Sequence, residues 1–144
     1  MDLKIEKMNL YDLDIISSKL QSDFDAFWTV SLLKSEIKSE NTLCLVARLE
    51  QTIVGFACIW FSIDDVHITN IVTHVKYRGN GIASKLLEEI ISKVKDKPLT
   101  LEVRTSNIPA IHLYEKYGFK KIGIRKNYYT HNNKTEDALI MTRE

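Results

Sequence analysis

Two apolar runs rich in β-branched and aromatic residues, Leu43 to Leu49 and Ile53 to Phe61, stand on either side of Glu50-Gln51-Thr52. Runs of strand length around three polar residues predict an antiparallel hairpin. A third run, Val66 to Val75, follows after Asp64-Asp65. A meander in mid-chain commits the protein to a sheet that helices must cover. Upstream, Leu10, Leu13, Ile16, Ser17 and Leu20 recur at helical spacing over residues 10 to 20. Thr29 or Ser31 can cap a second helix carrying Leu32, Leu33, Glu36 and Ile37. Downstream, Ile82, Leu86, Leu87, Ile90, Ile91 and Val94 mark a long amphipathic helix that ends before Pro98. Leu99, Leu101 and Val103 alternate as a strand. Asn107 can cap a short helix with Pro109 in its first turn and Gly118 as its stop. Phe119 to Ile124 and Ala138 to Met141 supply two more strands. The order β, α, α, meander, α, β, α, β, β predicts an α+β chain with helices over a mixed sheet.

The bulk properties fit one soluble domain over residues 1–144. Of the 144 residues 44% are hydrophobic and 27% charged, enough for a real core. No run approaches the roughly 18 to 20 apolar residues of a membrane span, and the start, Met1-Asp2-Leu3-Lys4-Ile5-Glu6, lacks a secretory apolar region. A cytoplasmic location without membrane partners is expected. Cys44 and Cys58 lie inside strand-like runs with no Cys-x-x-Cys spacing, so both read as core thiols. His67, His74, His112 and His131 are scattered, and no metal is expected. A net charge of +1 argues against direct nucleic-acid binding. Lys116, Lys120, Lys121, Arg125 and Lys126 form a local basic cluster, read as a solvated face or as an attraction to the phosphates of a cofactor or a ribosomal partner.

Between the third strand and the long helix lies Arg78-Gly79-Asn80-Gly81-Ile82-Ala83. Glycines let backbone N–H groups approach an anion, and the helix start adds unpaired donors and a positive dipole end. A diphosphate is the expected guest. The Lys-Ser/Thr pair of nucleotide hydrolases does not follow. A dinucleotide fingerprint would need a third glycine where Ser84 stands, and more βαβ structure than a meander provides.

Arg78-x-x-Gly81-x-Ala83 is followed by Leu99-Thr-Leu-Glu-Val-Arg104, Ser106-Asn107 and Ala110-Ile111-x-Leu113-Tyr114-Glu115-x-x-Gly118-Phe119. With these motifs, over roughly residues 66 to 143, the chain resembles the GNAT N-acetyltransferase superfamily. Arg125-Lys126-Asn127-Tyr128-Tyr129 and Glu136-Asp137-Ala138-Leu139-Ile140-Met141 look like its RimI branch, the bacterial acetyltransferases of ribosomal-protein N-termini. The resemblance implies a three-layer α+β fold, with a mixed sheet of about seven strands flanked by about four helices, and acetyl-coenzyme A as acetyl donor. It implies that Ile71, Val72 and Thr73 line the acetyl and pantetheine arm. Gly79 to Ser84, that is Gly79, Asn80, Gly81, Ile82, Ala83 and Ser84, with Arg78 before them, would hold the pyrophosphate, and Asn107 would also touch the cofactor. The general base falls on Glu102 and the general acid on Tyr114. Two departures are visible: His74-Val75 replaces the usual Asp-Pro, and Ala26-Phe27-Trp28-Thr29 replaces the usual Phe-Pro-Trp-Ser.

These residue types suit acyl transfer to an amine, which needs a neutral nitrogen, a proton acceptor, a polarised carbonyl and a proton for the thiolate. Neutralising an α-amine at pH 7 costs roughly 1.4 kcal/mol and a lysine amine roughly 4.6. A protein N-terminus is the easier nucleophile. Glu102 shares the strand face of Thr100 and Arg104, opposite Leu99, Leu101 and Val103, and can point into a cleft. Tyr114 lies two helical turns after Asn107. A backbone N–H at or near Val72 could hold the carbonyl oxygen if the strand is bulged there. Tyr128 and Tyr129 could flank a peptide tail. The expected acceptor is the N-terminus of a small-subunit ribosomal protein. A small amine, such as a polyamine or aminoglycoside, and a non-catalytic acyl-coenzyme A binding module are the alternatives.

Overall fold

The computed structural model describes residues 2–24, 30–94, 96–131 and 133–144, the side chain of His131 excepted. Ala26 to Thr29, and with them one candidate cap of the second helix, lie outside the described residues, as does Met1.

Seven strands form one mixed sheet in the order β1-β2-β3-β4-β5-β7-β6. They are β1 (Leu3–Lys7), β2 (Thr42–Leu49), β3 (Thr52–Phe61), β4 (Val66–Thr73), β5 (Leu99–Arg104), β6 (Lys120–His131) and β7 (Lys134–Arg143). Among the described residues four α-helices cover it: α1 (Leu10–Ser18), α2 (Val30–Lys38), α3 (Ile82–Lys93) and α4 (Ile108–Lys116). Among the described residues only β4 and β5 pair in parallel. The three-layer α+β architecture expected from the sequence is the one observed.

The sheet carries an apolar layer on each face. On one, Leu45, Ala57, Ile68 and Leu101 pack with Ile82, Leu86, Leu87 and Ile90 of α3. On the other, Cys44, Val46, Phe56 and Cys58 pack with Leu13, Ile16 and Leu33 of α1 and α2. Burial on both faces explains why β2 and β3 read as unbroken apolar runs. Cys44 and Cys58 face each other across β2 and β3 as free, buried thiols.

Local chemistry sets the element ends. The Asn9 side chain accepts from Asp12 N at 2.7 Å, and the Asp12 carboxylate accepts from Asn9 N at 3.0 Å, a reciprocal cap that starts α1. The buried Asp12 also pairs with Arg48 of β2 at 2.6 Å, tying this helix to the sheet. Three expected bounds differ. α1 stops at Ser18, with Leu20 and Phe24 reaching the core from the turn beyond. β4 ends at Thr73, and Val75–Tyr77 form a 3-10 turn. β6 and β7 are longer than their apolar segments because their outer halves continue to pair with each other, down to His131 and Lys134, without an apolar run in the sequence.

Candidate active site

β4 and β5 pair at three positions only, Val66 to Ile68 against Leu99 to Leu101. The register of β3 with β4 then shifts: Ile59 faces Ile68 and Cys58 faces Asn70, which leaves Thr69 as the extra residue. Such a bulge bends a strand. Beyond it β4 parts from β5, and the backbone edge of residues 69–73 that would have faced β5 is open. The sequence left open whether β4 is bulged; the structure places a bulge at Thr69. The Thr69 hydroxyl lies 2.9 Å from Glu36 Oε1 and 3.0 Å from the Cys58 carbonyl, which fixes the bend to α2 and β3.

The gap opens a cleft of about 620 Å³, with Ile71, Val72 and Thr73 on one wall and Glu102 and Arg104 on the other. Asn70 also lines it, and its Nδ2 is buried without a hydrogen-bond partner among the described residues. At one end stand Arg78, Gly79, Gly81, Ile82, Ala83 and Ser84. Gly79 and Gly81 hold φ of +82° and +77°, in the left-handed region that favours glycine, and nothing lies within 4 Å of where either Cβ would sit. Gly81 is the N-cap of α3, so the first-turn N–H groups, which no intrahelical carbonyl can serve, open toward the cleft. Asn80 stays exposed and outside the cleft lining: its Nδ2 donates to Tyr77 O at 2.9 Å and braces the loop. Ile82 sends its side chain into the core.

His74 now has a structural account. Its backbone N–H donates to Val54 O, its Nδ1 accepts from Lys76 N at 3.1 Å, and its Nε2 stands 3.5 Å from Asp23 Oδ2. Phe24 and Tyr77 meet its ring edge-on. The buried imidazole thus pins the segment after α1 to the turn that leads into the glycine loop.

Glu102 extends from β5 on the face that alternation assigned to it, and its side chain is only 6% exposed. Oε2 meets His67 Nε2 at 2.5 Å, and Oε1 meets Arg125 Nε at 3.3 Å. Tyr114 lines the cleft from α4, packed against Phe119, and burial, aided by Tyr129, pushes its phenol well above the usual tyrosine range. Asn107 lines the cleft as well while its Oδ1 accepts from Ala110 N at 3.3 Å, so it caps α4 at the cleft wall. Tyr129 lines the cleft; Tyr128 stands outside its lining, 47% exposed, with its ring 5.0 Å from that of Tyr129. The basic cluster is divided: Arg125 turns to Glu102, and Lys126 pairs with Asp137 at 3.2 Å. Sequence reasoning missed His67, Asn70 and Thr69. The one signal available for His67 was its alternation with Val66 and Ile68, which sets it on the open face of the sheet.

An open strand edge, a helix start shaped for a diphosphate, a carboxylate and a protonated phenol around one cleft suit transfer of an acyl group from a thioester. Residues 13–119 match the acetyltransferase (GNAT) family, and the chain belongs to it. Acetyl-coenzyme A is the acetyl donor of that family. The chain is 39% identical over 142 residues to a candidate ribosomal protein bS18-alanine N-acetyltransferase of Bacillus subtilis (strain 168), covering 95% of this chain and 92% of that protein. It is 37% identical to the ribosomal protein bS18-alanine N-acetyltransferase of Haemophilus influenzae, over 79% of this chain and 80% of that one. The crystal structure of the ribosomal-protein-S18-alanine N-acetyltransferase from Escherichia coli superposes with a TM-score of 0.88 at 30% identity, covering 98% of this chain and 92% of the other.

Proposed function

We propose that the chain, acting as one domain over residues 1–144, moves the acetyl group of acetyl-coenzyme A to the N-terminal α-amine of a ribosomal protein, the N-terminal alanine of bS18. The observation that carries this reading is the cleft between β4 and β5, which sets Glu102 and Tyr114 around one space ending at the glycine loop. The relatives, named for that reaction, set the acceptor. No described helix is long and apolar enough to cross a membrane, and the reaction belongs to the cytoplasm, where ribosomal proteins are made.

The residues fit the donor. Gly79 and Gly81, by their positive φ, and the N–H groups of Ile82, Ala83 and Ser84 hold its pyrophosphate, with Arg78 adding charge. Ile71, Val72 and Thr73 offer open backbone groups to its amide-bearing arm, and Asn107 stands opposite. Glu102 takes the proton of the acceptor ammonium. The freed nitrogen attacks the thioester carbonyl carbon, a C–N bond forms and the C–S bond breaks. Tyr114, held protonated by its burial, gives its proton to the leaving thiolate, and the second proton that the attacking nitrogen sheds as the amide forms restores the phenol. Tyr129 borders the acceptor end, with Tyr128 beside it at the surface.

Intact-mass analysis tests this. A synthetic peptide beginning with alanine should gain one acetyl group in the presence of enzyme and acetyl-coenzyme A, and the rate should fall roughly 100-fold or more in Glu102→Gln. Acetylation of polyamines or aminoglycosides with the peptide left untouched would sink the reading.

A further inference from the structure

Glu102 has a neighbour that this scheme leaves unused. His67 sits on β4 between Val66 and Ile68, both of which enter the α3-side core, so strand alternation turns it to the opposite face. Glu102 reaches the same face of β5 from between Leu101 and Val103. The parallel register sets His67 across from Thr100, two residues before Glu102. This is the last stretch where β4 and β5 pair before they part. The imidazole therefore stands just behind the point where the strands part, outside the cleft lining itself, on a strand bonded to neighbours on both sides.

The two groups on Glu102 differ in kind. His67 Nε2 lies 2.5 Å from Oε2, and its side chain is 27% exposed. Arg125 Nε lies 3.3 Å from Oε1, and its side chain is 57% exposed. Arg125 also comes from β6 next to an irregularity in its pairing with β7, and its guanidinium lies 5.6 Å from the Tyr128 ring centre. One contact is short and rigidly mounted; the other is long, solvated and exchangeable. A carboxylate that takes a proton from an amine works best with one oxygen fixed and the other presented to the substrate. An ionised carboxylate only accepts, so the hydrogen in the short contact is carried by Nε2.

We propose that His67 is a positioning residue for the acetyl transfer: its Nε2–H holds Oε2 of Glu102 and presents Oε1 to the acceptor ammonium, which takes the place of Arg125. The inference rests on the reading of Glu102 as general base. His67 keeps its own proton throughout. The proton of the acceptor passes to Oε1 and leaves to water once the acetylated product departs, so Glu102 is restored without a co-reactant. The alternation that hides His67 in the sequence also explains the choice of residue: on β4, a side chain long enough to reach across to β5 with a donor at its tip must bridge the gap where the sheet begins to open.

Steady-state kinetics with acetyl-coenzyme A and an alanine-starting peptide test the proposal on the full chain, using His67→Ala, His67→Gln, Glu102→Gln and the double variant Glu102→Gln/His67→Ala. His67→Ala should lower kcat roughly tenfold or more while leaving the KM for acetyl-coenzyme A and the thermal midpoint close to those of the parent. His67→Gln, whose amide can donate from nearly the same place, should recover most of the loss. The double variant should be no slower than Glu102→Gln alone, because with the carboxylate gone there is nothing left to position. A His67→Ala enzyme with parental kcat, beside a slow Glu102→Gln, overturns the positioning role and leaves the general base standing. A His67→Gln enzyme as slow as His67→Ala overturns it too. An unimpaired Glu102→Gln overturns the reading of the base itself.

Discussion

A single hydroxyl shows how burial prepares a group for its task. Tyr114 is 5% exposed, on an α4 turn that packs its ring against Phe119. Desolvation comes first and the nearby Tyr129 second in raising its pKa, so the phenol stays loaded with its proton through the neutral and mildly alkaline range. On the proposed reading, a thiolate that forms in the cleft meets a donor rather than a second anion. Tyr114→Phe keeps the ring and its packing and removes only the proton; kcat should fall roughly 100-fold with the thermal midpoint nearly unchanged, read by release of free thiol. Retained thiol release would place the donor elsewhere. The Gly79-x-Gly81 loop was legible from spacing within one element, whereas Glu102 and Tyr114 were singled out by the family motifs that carry them, with strand alternation and helical spacing setting only the side each faces. His67 was not, since its meaning depends on the register of a strand more than thirty residues from its partner.

At the level of elements, the cleft depends on how closely α3 approaches the sheet. Gly55 of β3 sits under the start of that helix: an added Cβ would stand 2.9 Å from Ile82 Cγ2 and 3.0 Å from Val72 O. The second contact is backbone, which cannot rotate away. Gly55→Ala should therefore lift the first turn of α3 from β4, at a cost of about 1 to 3 kcal/mol for overpacking. Thermal unfolding should move down by several degrees and the KM for acetyl-coenzyme A should rise; a variant with parental values of both would show that the helix start does not rest on this glycine. The sequence conveyed the order and type of the elements because hydrophobic period follows burial. It understated β6 and β7, whose outer parts are held by pairing and by Asp137, which accepts from Asn127 N at 3.0 Å, rather than by an apolar face. It could not show the bulge in β4, because a bulge is a property of two strands.

Across the whole molecule the titrating groups set a limit on alkaline stability. The folded protein raises the pKa values of Tyr114 and Tyr129, first by desolvation, and of Tyr128 by the same cause. Tyr117 is raised first by its hydrogen bond to Glu88, and Cys58 first by its hydrogen bond to Cys44 and then by burial. In the unfolded chain these phenols ionise near pH 10 and the thiol near pH 8.5, by ordinary values. Above those points the unfolded state binds fewer protons than the folded one, so stability falls as pH rises. The contribution is fully present below the unfolded values and is lost progressively up to the folded ones. For the buried Tyr114 alone the slope approaches about 1.4 kcal/mol per pH unit above roughly pH 10; Tyr129 and Tyr117, both partly open to solvent, add less. Urea midpoints at pH 8, 9.5 and 11 should fall steeply in the parent and less steeply in Tyr114→Phe, so that two curves lying close together at pH 8 diverge toward high pH. Parallel curves would mean that the Tyr114 hydroxyl is solvated in the folded protein, and would remove the physical basis for its holding a proton at the cleft.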